Sequence, residues 1–191
     1  MKPLDRWLQR WRIRQAARFI PDGAEVLDIG CGDGALFADL EERLAGGVGI
    51  DPDLPANLPR AGVRWVRGEF PGSLPSGDRY AIVTALAVFE HVPVSGQSAF
   101  LAACRDRVAA GGRLILTVPS PMVDGILHVL RLARLIDGLA LDQHHGYDVR
   151  QTVPLALEAG FKLEHHARFE LGLNHLFVFR APPATDAFQP N

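Results

Sequence analysis

The stretch Val26-Leu27-Asp28-Ile29-Gly30-Cys31-Gly32-Asp33-Gly34 decides how the rest of the chain is read. Its apolar half, Val26, Leu27 and Ile29, has the character of a buried strand. It breaks into alternating glycines, and Leu36, Phe37, Leu40 and Leu44 follow at helical spacing. The pattern predicts a strand, a tight turn and the start of a helix. Glycine adopts backbone angles that other residues avoid, and it lets a ligand approach main-chain N–H groups that a Cβ would shield. Asp51 closes the apolar Val48-Gly49-Ile50 about 20 residues further on. An acidic residue at the end of a second strand can accept both hydroxyls of a ribose. Turn and acid together point to a nucleoside-containing cofactor.

Composition sets the frame for that reading. The chain has 191 residues, of which 48% are hydrophobic and 22% charged, which suits one domain with a full core. The net charge of −2 implies no general attraction to nucleic acid. Cys31 and Cys104 lack metal-ligand spacing, and no metal site is expected; two cysteines also give no disulfide framework, so a reducing, cytoplasmic setting is the expectation. The N-terminus lacks the long apolar core of a signal peptide. Met122 to Leu141 is apolar but interrupted by Asp124, His128, Arg131, Arg134 and Asp137, which makes a poor membrane span.

Taken in order, residues 4–19 predict an amphipathic helix, ended by Pro21-Asp22-Gly23. Arg6, Arg10, Arg12, Arg14 and Arg18 make it strongly basic. Strand one is expected over 24–30, a helix over 34–45 stopped by Gly46-Gly47, and strand two over 47–51. Pro52, Pro55 and Pro59 predict a short irregular crossover to strand three at 63–66. Strand four is 80–85, followed by a helix over 96–109 that Gly111-Gly112 stops. Strand five is 113–118. A helix over 122–141, apolar nearly all round, requires several partners or a greasy ligand. A last helix near 150–159 precedes strands at 161–170 and 174–181, whose short link predicts an antiparallel hairpin. The expected organisation is an N-terminal helix in 1–23, a core domain in 24–181 with a helical lid insertion at about 120–148, and a flexible tail in 182–191.

Alternating strands and helices predict a doubly wound α/β sheet with the ligand at the carboxyl ends of its strands. Gly30-x-Gly32-x-x-Ala35 satisfies the dinucleotide fingerprint, so an NAD(P)-dependent oxidoreductase is one alternative. Asp28-Ile29-Gly30-Cys31-Gly32-Asp33-Gly34 also resembles the first motif of class I S-adenosylmethionine-dependent methyltransferases. Leu86 to Val92, with Glu90-His91-Val92, is similar to the segment after the fourth strand in members acting on small molecules. Gly111 to Pro119 resembles the family's fifth-strand motif. His145-Gly146-Tyr147 with Leu157 to Phe161 is similar to a late segment of the type-11 and type-12 groups. The resemblance implies a Rossmann-like seven-stranded sheet, mostly parallel with an antiparallel last strand. A catalytically silent nucleoside-binding protein of this fold is the other alternative, against which the intact glycines and Asp51 speak.

The resemblance also implies residue roles. Gly30, Gly32 and Gly34 would leave room for the methionyl part of S-adenosylmethionine, whose carboxylate would sit near a helix N-terminus. Asp28 would steer the methionyl ammonium, Asp51 would hold the ribose, and Glu69 with Phe70 would take the adenine. Ala85 would offer a carbonyl beneath the methionyl group. Cys31, within the turn, reads as a small buried filler rather than a nucleophile. A base near neutral pH suits acceptor deprotonation, which makes His91 the first candidate, with His145 and Tyr147 facing the acceptor. The expected partner is a small-molecule or lipid-like acceptor, not nucleic acid. The basic start and the 122–141 stretch add an expectation of peripheral membrane contact.

Overall fold

The computed structural model describes residues 3–58, 62–120 and 147–184. Its elements in chain order are α1 (Pro3–Ala17), β1 (Ala24–Ile29), α2 (Ala35–Asp39), β2 (Leu44–Asp51), β3 (Val63–Arg67), β4 (Tyr80–Leu86), α3 (Gln97–Arg107), β5 (Val108–Pro119), α4 (Thr152–Glu158), β6 (Lys162–Phe169) and β7 (Asn174–Arg180). The seven strands form one sheet in the order β3-β2-β1-β4-β5-β7-β6. β1 to β5 run parallel to one another, and β7 inserts antiparallel to both β5 and β6. The predicted hairpin is therefore present, and its second strand, not its first, lies against β5.

A central parallel strand is covered on both faces, so it carries apolar residues in unbroken runs rather than alternation. In β5, Leu114, Ile115, Leu116 and Val118 are all fully buried. Leu114, Leu116 and Val118 share one face with Leu101 and Cys104 of α3 and Ala156 of α4. Ile115 faces the other way, with Ile13 and Ala16 of α1 and Leu36 and Phe37 of α2. The periodic apolar patch predicted for the first helix is thus the face that docks on the sheet. Arg43 fastens its end by donating to Ile20 O at 2.7 Å and to Asp22 Oδ1 at 2.6 Å.

Two glycine pairs behave differently from the sequence expectation. The helix expected over 34–45 is only the five residues of α2 plus a 3-10 turn at Glu41–Arg43, and β2 already starts at Leu44. Gly46-Gly47 lies inside that strand. A Cβ on Gly46 would fall 2.4 Å from Gly62 O, and one on Gly47 would fall 2.1 Å from Val26 O. Likewise α3 ends at Arg107, and Gly111-Gly112 is part of β5, where a Cβ on Gly112 would fall 2.7 Å from Ala81 O. Gly46, Gly47 and Gly112 serve close backbone approach within the sheet, whereas Gly111 takes a left-handed φ of 70° with nothing within 4 Å of a Cβ.

Residues 52–58 form turns and no helix, as the prolines predicted. The expected helix over 122–141, most of the lid insertion and the end of the tail lie outside the described residues. Among the described residues, no helix is long and apolar enough to cross a membrane.

Candidate functional site

The carboxyl ends of β1, β2 and β4 meet at the glycine turn. Gly30 N and Cys31 N both donate to Ile50 O, at 2.8 and 3.3 Å, which stitches the turn to β2. Gly32 N donates to Asp51 Oδ2 at 3.0 Å, and Asp53 N donates to Asp51 Oδ1 at 2.8 Å. The Asp51 carboxylate is therefore held from both sides at the rim. Gly30 and Gly32 have φ of 70° and 52°, the left-handed region that side chains avoid. A Cβ at Gly30 would lie 2.3 Å from Val88 Cγ2, whereas one at Gly32 would meet nothing within 4 Å. Gly32 thus marks the open side of the turn, and a ligand can approach its backbone there.

Asp28 lies below the turn and is only 4% exposed. Its Oδ1 accepts a 2.6 Å hydrogen bond from Thr84 Oγ1. Burial pushes the carboxyl up to about 7; the Thr84 bond works against that rise, and the charge of Asp51 adds to it. Cys31 is buried with its sulfur against Gly49, and burial drives its thiol upward, so it is no nucleophile at neutral pH.

A cavity of about 480 Å³ opens beside the turn and brings together Gly30, Glu69, Phe70 and His91. The Phe70 ring meets Phe100 edge-on at 5.5 Å. His91 belongs to a 3-10 turn, Phe89–His91, directly after β4. Ala85 is fully buried in β4, paired with Ile29 and Leu116, and lies beneath this rim. Tyr147 packs against Phe89, with ring centroids 5.7 Å apart, and shares a 2.5 Å hydrogen bond with Thr152. Burial raises its phenol. His145 lies outside the described residues. Among the described residues, no group of three His, Cys, Asp or Glu could hold a metal ion.

α2, whose start follows the glycine turn, has only five residues; what it offers an anion is the free N–H groups of its first turn. Three contributors were not singled out from the sequence. Thr84 was legible only as a lone hydroxyl in an apolar strand. Val88 covers Gly30, and Thr152 holds Tyr147; neither has a sequence signal of its own.

The donor set fits an adenosyl sulfonium. Asp51 offers a fixed carboxylate, Gly32 an open backbone, and Asp28 a buried acid suited to an ammonium. Residues 4–166 match the family described as a methyltransferase domain. A ubiquinone biosynthesis O-methyltransferase of Azorhizobium caulinodans is 36% identical over 104 residues, 50% of this chain and 40% of that protein. One of Acinetobacter baylyi is 28% identical over 157 residues, 74% of this chain and 65% of that protein. The chain thus spans less than two thirds of the length of these relatives. Among solved structures, magnesium protoporphyrin IX methyltransferase from Synechocystis PCC 6803 superposes with a TM-score of 0.64 at 18% identity, covering 92% of this chain and 82% of that one. The glycine turn alone left two cofactor types open; with the ordered sheet and the family match, the chain belongs to the methyltransferase-domain family and has the class I fold of the S-adenosylmethionine-dependent enzymes.

Proposed function

We propose that the protein transfers a methyl group from S-adenosylmethionine to a small-molecule or lipid-like acceptor. The observation that carries this reading is the Asp51 carboxylate fixed by Gly32 N–H, between Ile50 and Pro52, which line the cavity beside the glycine turn. Bound there, the cofactor would supply a methyl group on a sulfonium, whose S–C bonding pair returns to sulfur as the acceptor's lone pair takes the carbon. The chain's part is positioning. Asp51 accepts the ribose hydroxyls, Glu69 and Phe70 take the adenine, and Gly30, Gly32 and Gly34 give room to the methionyl part. Asp28 holds the ammonium side, and Ala85 offers its carbonyl below. His91, at the cavity wall, takes the acceptor proton, while Tyr147 and His145 border the acceptor. Incubation with methyl-labelled S-adenosylmethionine and a panel of phenols, amines and thiols should label at least one class, and His91→Ala should slow that labelling. No label in any class, with the cofactor unbound, overturns the proposal.

The lipid-like acceptor goes with a membrane contact. On α1, Trp7 is 52% exposed and shares one arc with the exposed Arg6, Arg10, Arg14 and Arg18. An aromatic among cations suits an anionic interface. Co-sedimentation with anionic vesicles at low salt, lost in Trp7→Ala, would support the contact; no co-sedimentation would remove it.

A further inference from the structure

Arg12, Glu90 and Glu170 each bury a polar side-chain atom that has no hydrogen-bond partner. Glu90 follows Phe89 in the turn after β4; it is 3% exposed, and its Oε2 is buried with no hydrogen-bond partner. Glu170 opens the turn between β6 and β7; it is 5% exposed, and its Oε1 is likewise buried and unpartnered. Its other oxygen accepts from Asn174 Nδ2. Arg12, from α1, has a buried Nε with no acceptor. Trp11 and Ile13, which flank Arg12, pack in one apolar cluster with Leu86 at the end of β4 and Phe169 at the end of β6, and the positive charge of Arg12 reaches both carboxyl groups. The topology agrees. β4, β5 and β7 are neighbours, and Asn174 pairs with Pro119 at the carboxyl end of β5, so both glutamates stand on the same edge as His91. The turn that presents Glu170 is backbone-strained, with φ of 51° at Glu170 and 58° at Leu171. Strain of this kind persists where the surroundings impose it, and it gathers at ligand sites.

Buried polar atoms are normally satisfied, and three orphans from three distant segments in one place are an exception that calls for a ligand. We propose that Arg12, Glu90 and Glu170 form an acceptor subsite for a neutral group bearing adjacent hydroxyls. This rests on the methyltransferase reading and names the acceptor class for it. The two carboxyl oxygens require donors, and Arg12 Nε–H requires an acceptor. A hydroxyl is both at once, and a vicinal pair supplies two O–H donors with lone pairs left over. An ammonium group has donors only and leaves Arg12 unmet. A carboxylate has acceptors only and faces two acidic groups. Burial brings Glu90 to about 7, and a hydroxyl suits that carboxyl in either protonation state.

The test uses the full chain saturated with S-adenosylhomocysteine, and saturation-transfer NMR with catechol, benzylamine and benzoate as probes. The subsite predicts transfer to catechol and little to the other two. Arg12→Met keeps the side-chain stem that packs on the fold but removes the donors, and should weaken catechol at least tenfold. Glu90→Gln keeps the shape and should also weaken it. S-adenosylhomocysteine affinity and the melting temperature verify that each variant is folded. Catechol binding equal in wild type and Arg12→Met, or preferred binding of benzylamine, overturns the inference. So does an absence of catechol binding by folded wild type. If S-adenosylhomocysteine itself fails to bind, the methyltransferase reading fails, and the catechol comparison on cofactor-free protein still decides the subsite.

Discussion

Asp51 and Gly32 lie 19 residues apart in the chain and are joined by one hydrogen bond of 3.0 Å from the Gly32 amide to Asp51 Oδ2. Each carboxylate oxygen accepts one backbone N–H and keeps a further lone pair. The side chain is thereby preorganised. A diol arriving at the rim meets a carboxylate that has no rotamer freedom left to lose.

The glycines of the turn are not equivalent. Gly30→Ala places a methyl group 2.3 Å from Val88 Cγ2 at a φ of 70°. Left-handed backbone costs a side chain about 1–2 kcal/mol, and overpacking adds about 1–3 kcal/mol. Gly32→Ala bears the backbone part alone, because nothing lies within 4 Å. Thermal melts should show the larger loss for Gly30→Ala, with part recovered by adding Val88→Ala. Equal losses would contradict the packing argument.

The strands were legible because buried parallel strands announce themselves as apolar runs. Val26 to Ile29 and Leu114 to Val118 read correctly for that reason. The glycine pairs misled because one residue type serves two physical needs. Gly46-Gly47 and Gly111-Gly112 look like helix stops, yet the backbone oxygens of Val26 and Ala81 leave no room for a Cβ on Gly47 or on Gly112. That neighbour is remote in sequence and has no local signature. Gly30, Asp51 and Phe70 stood out by residue type, and the structure brings them to one edge of the sheet. The Arg12, Glu90 and Glu170 group was not legible, since only tertiary folding brings a helix, a turn and a hairpin together.

Asp28 supplies a pH prediction. Its pKa rises from 3.8 to about 7 on folding, so the folded protein binds the extra proton in that interval. The associated stability is present below pH 4 and is lost as pH rises through 7. Binding a ligand ammonium beside Asp28 favours the carboxylate. S-adenosylhomocysteine affinity should therefore fall below pH 7, with proton release on binding. Thr84→Val removes the bond that favours the charged form and should move that midpoint upward. Calorimetry in buffers of different ionisation enthalpy reads both effects. A flat profile from pH 5.5 to 8 would contradict it.

A second titration runs the other way. His175 Nδ1 and His166 Nε2 lie 2.9 Å apart with their rings stacked, and burial lowers His175 from 6.5 to about 4. The unfolded chain takes this proton first as pH falls. The associated stability is present above pH 6.5 and lost as pH drops towards 4, by at most about 1.4 kcal/mol per pH unit. His175→Phe keeps the stack on Phe177 and removes the titration. Denaturant melts at pH 7 and pH 5 should show a smaller loss for the variant than for wild type. Parallel losses would contradict the assignment.

The most direct measurement is a calorimetric titration of wild type and Asp51→Ala with S-adenosylmethionine and with NAD. The account predicts that wild type binds S-adenosylmethionine and not NAD. It also predicts that Asp51→Ala loses about 10- to 100-fold in affinity, the equivalent of about 1.5–3 kcal/mol for bonds to a charged group. NAD binding by wild type, or unchanged S-adenosylmethionine affinity in folded Asp51→Ala, would contradict it.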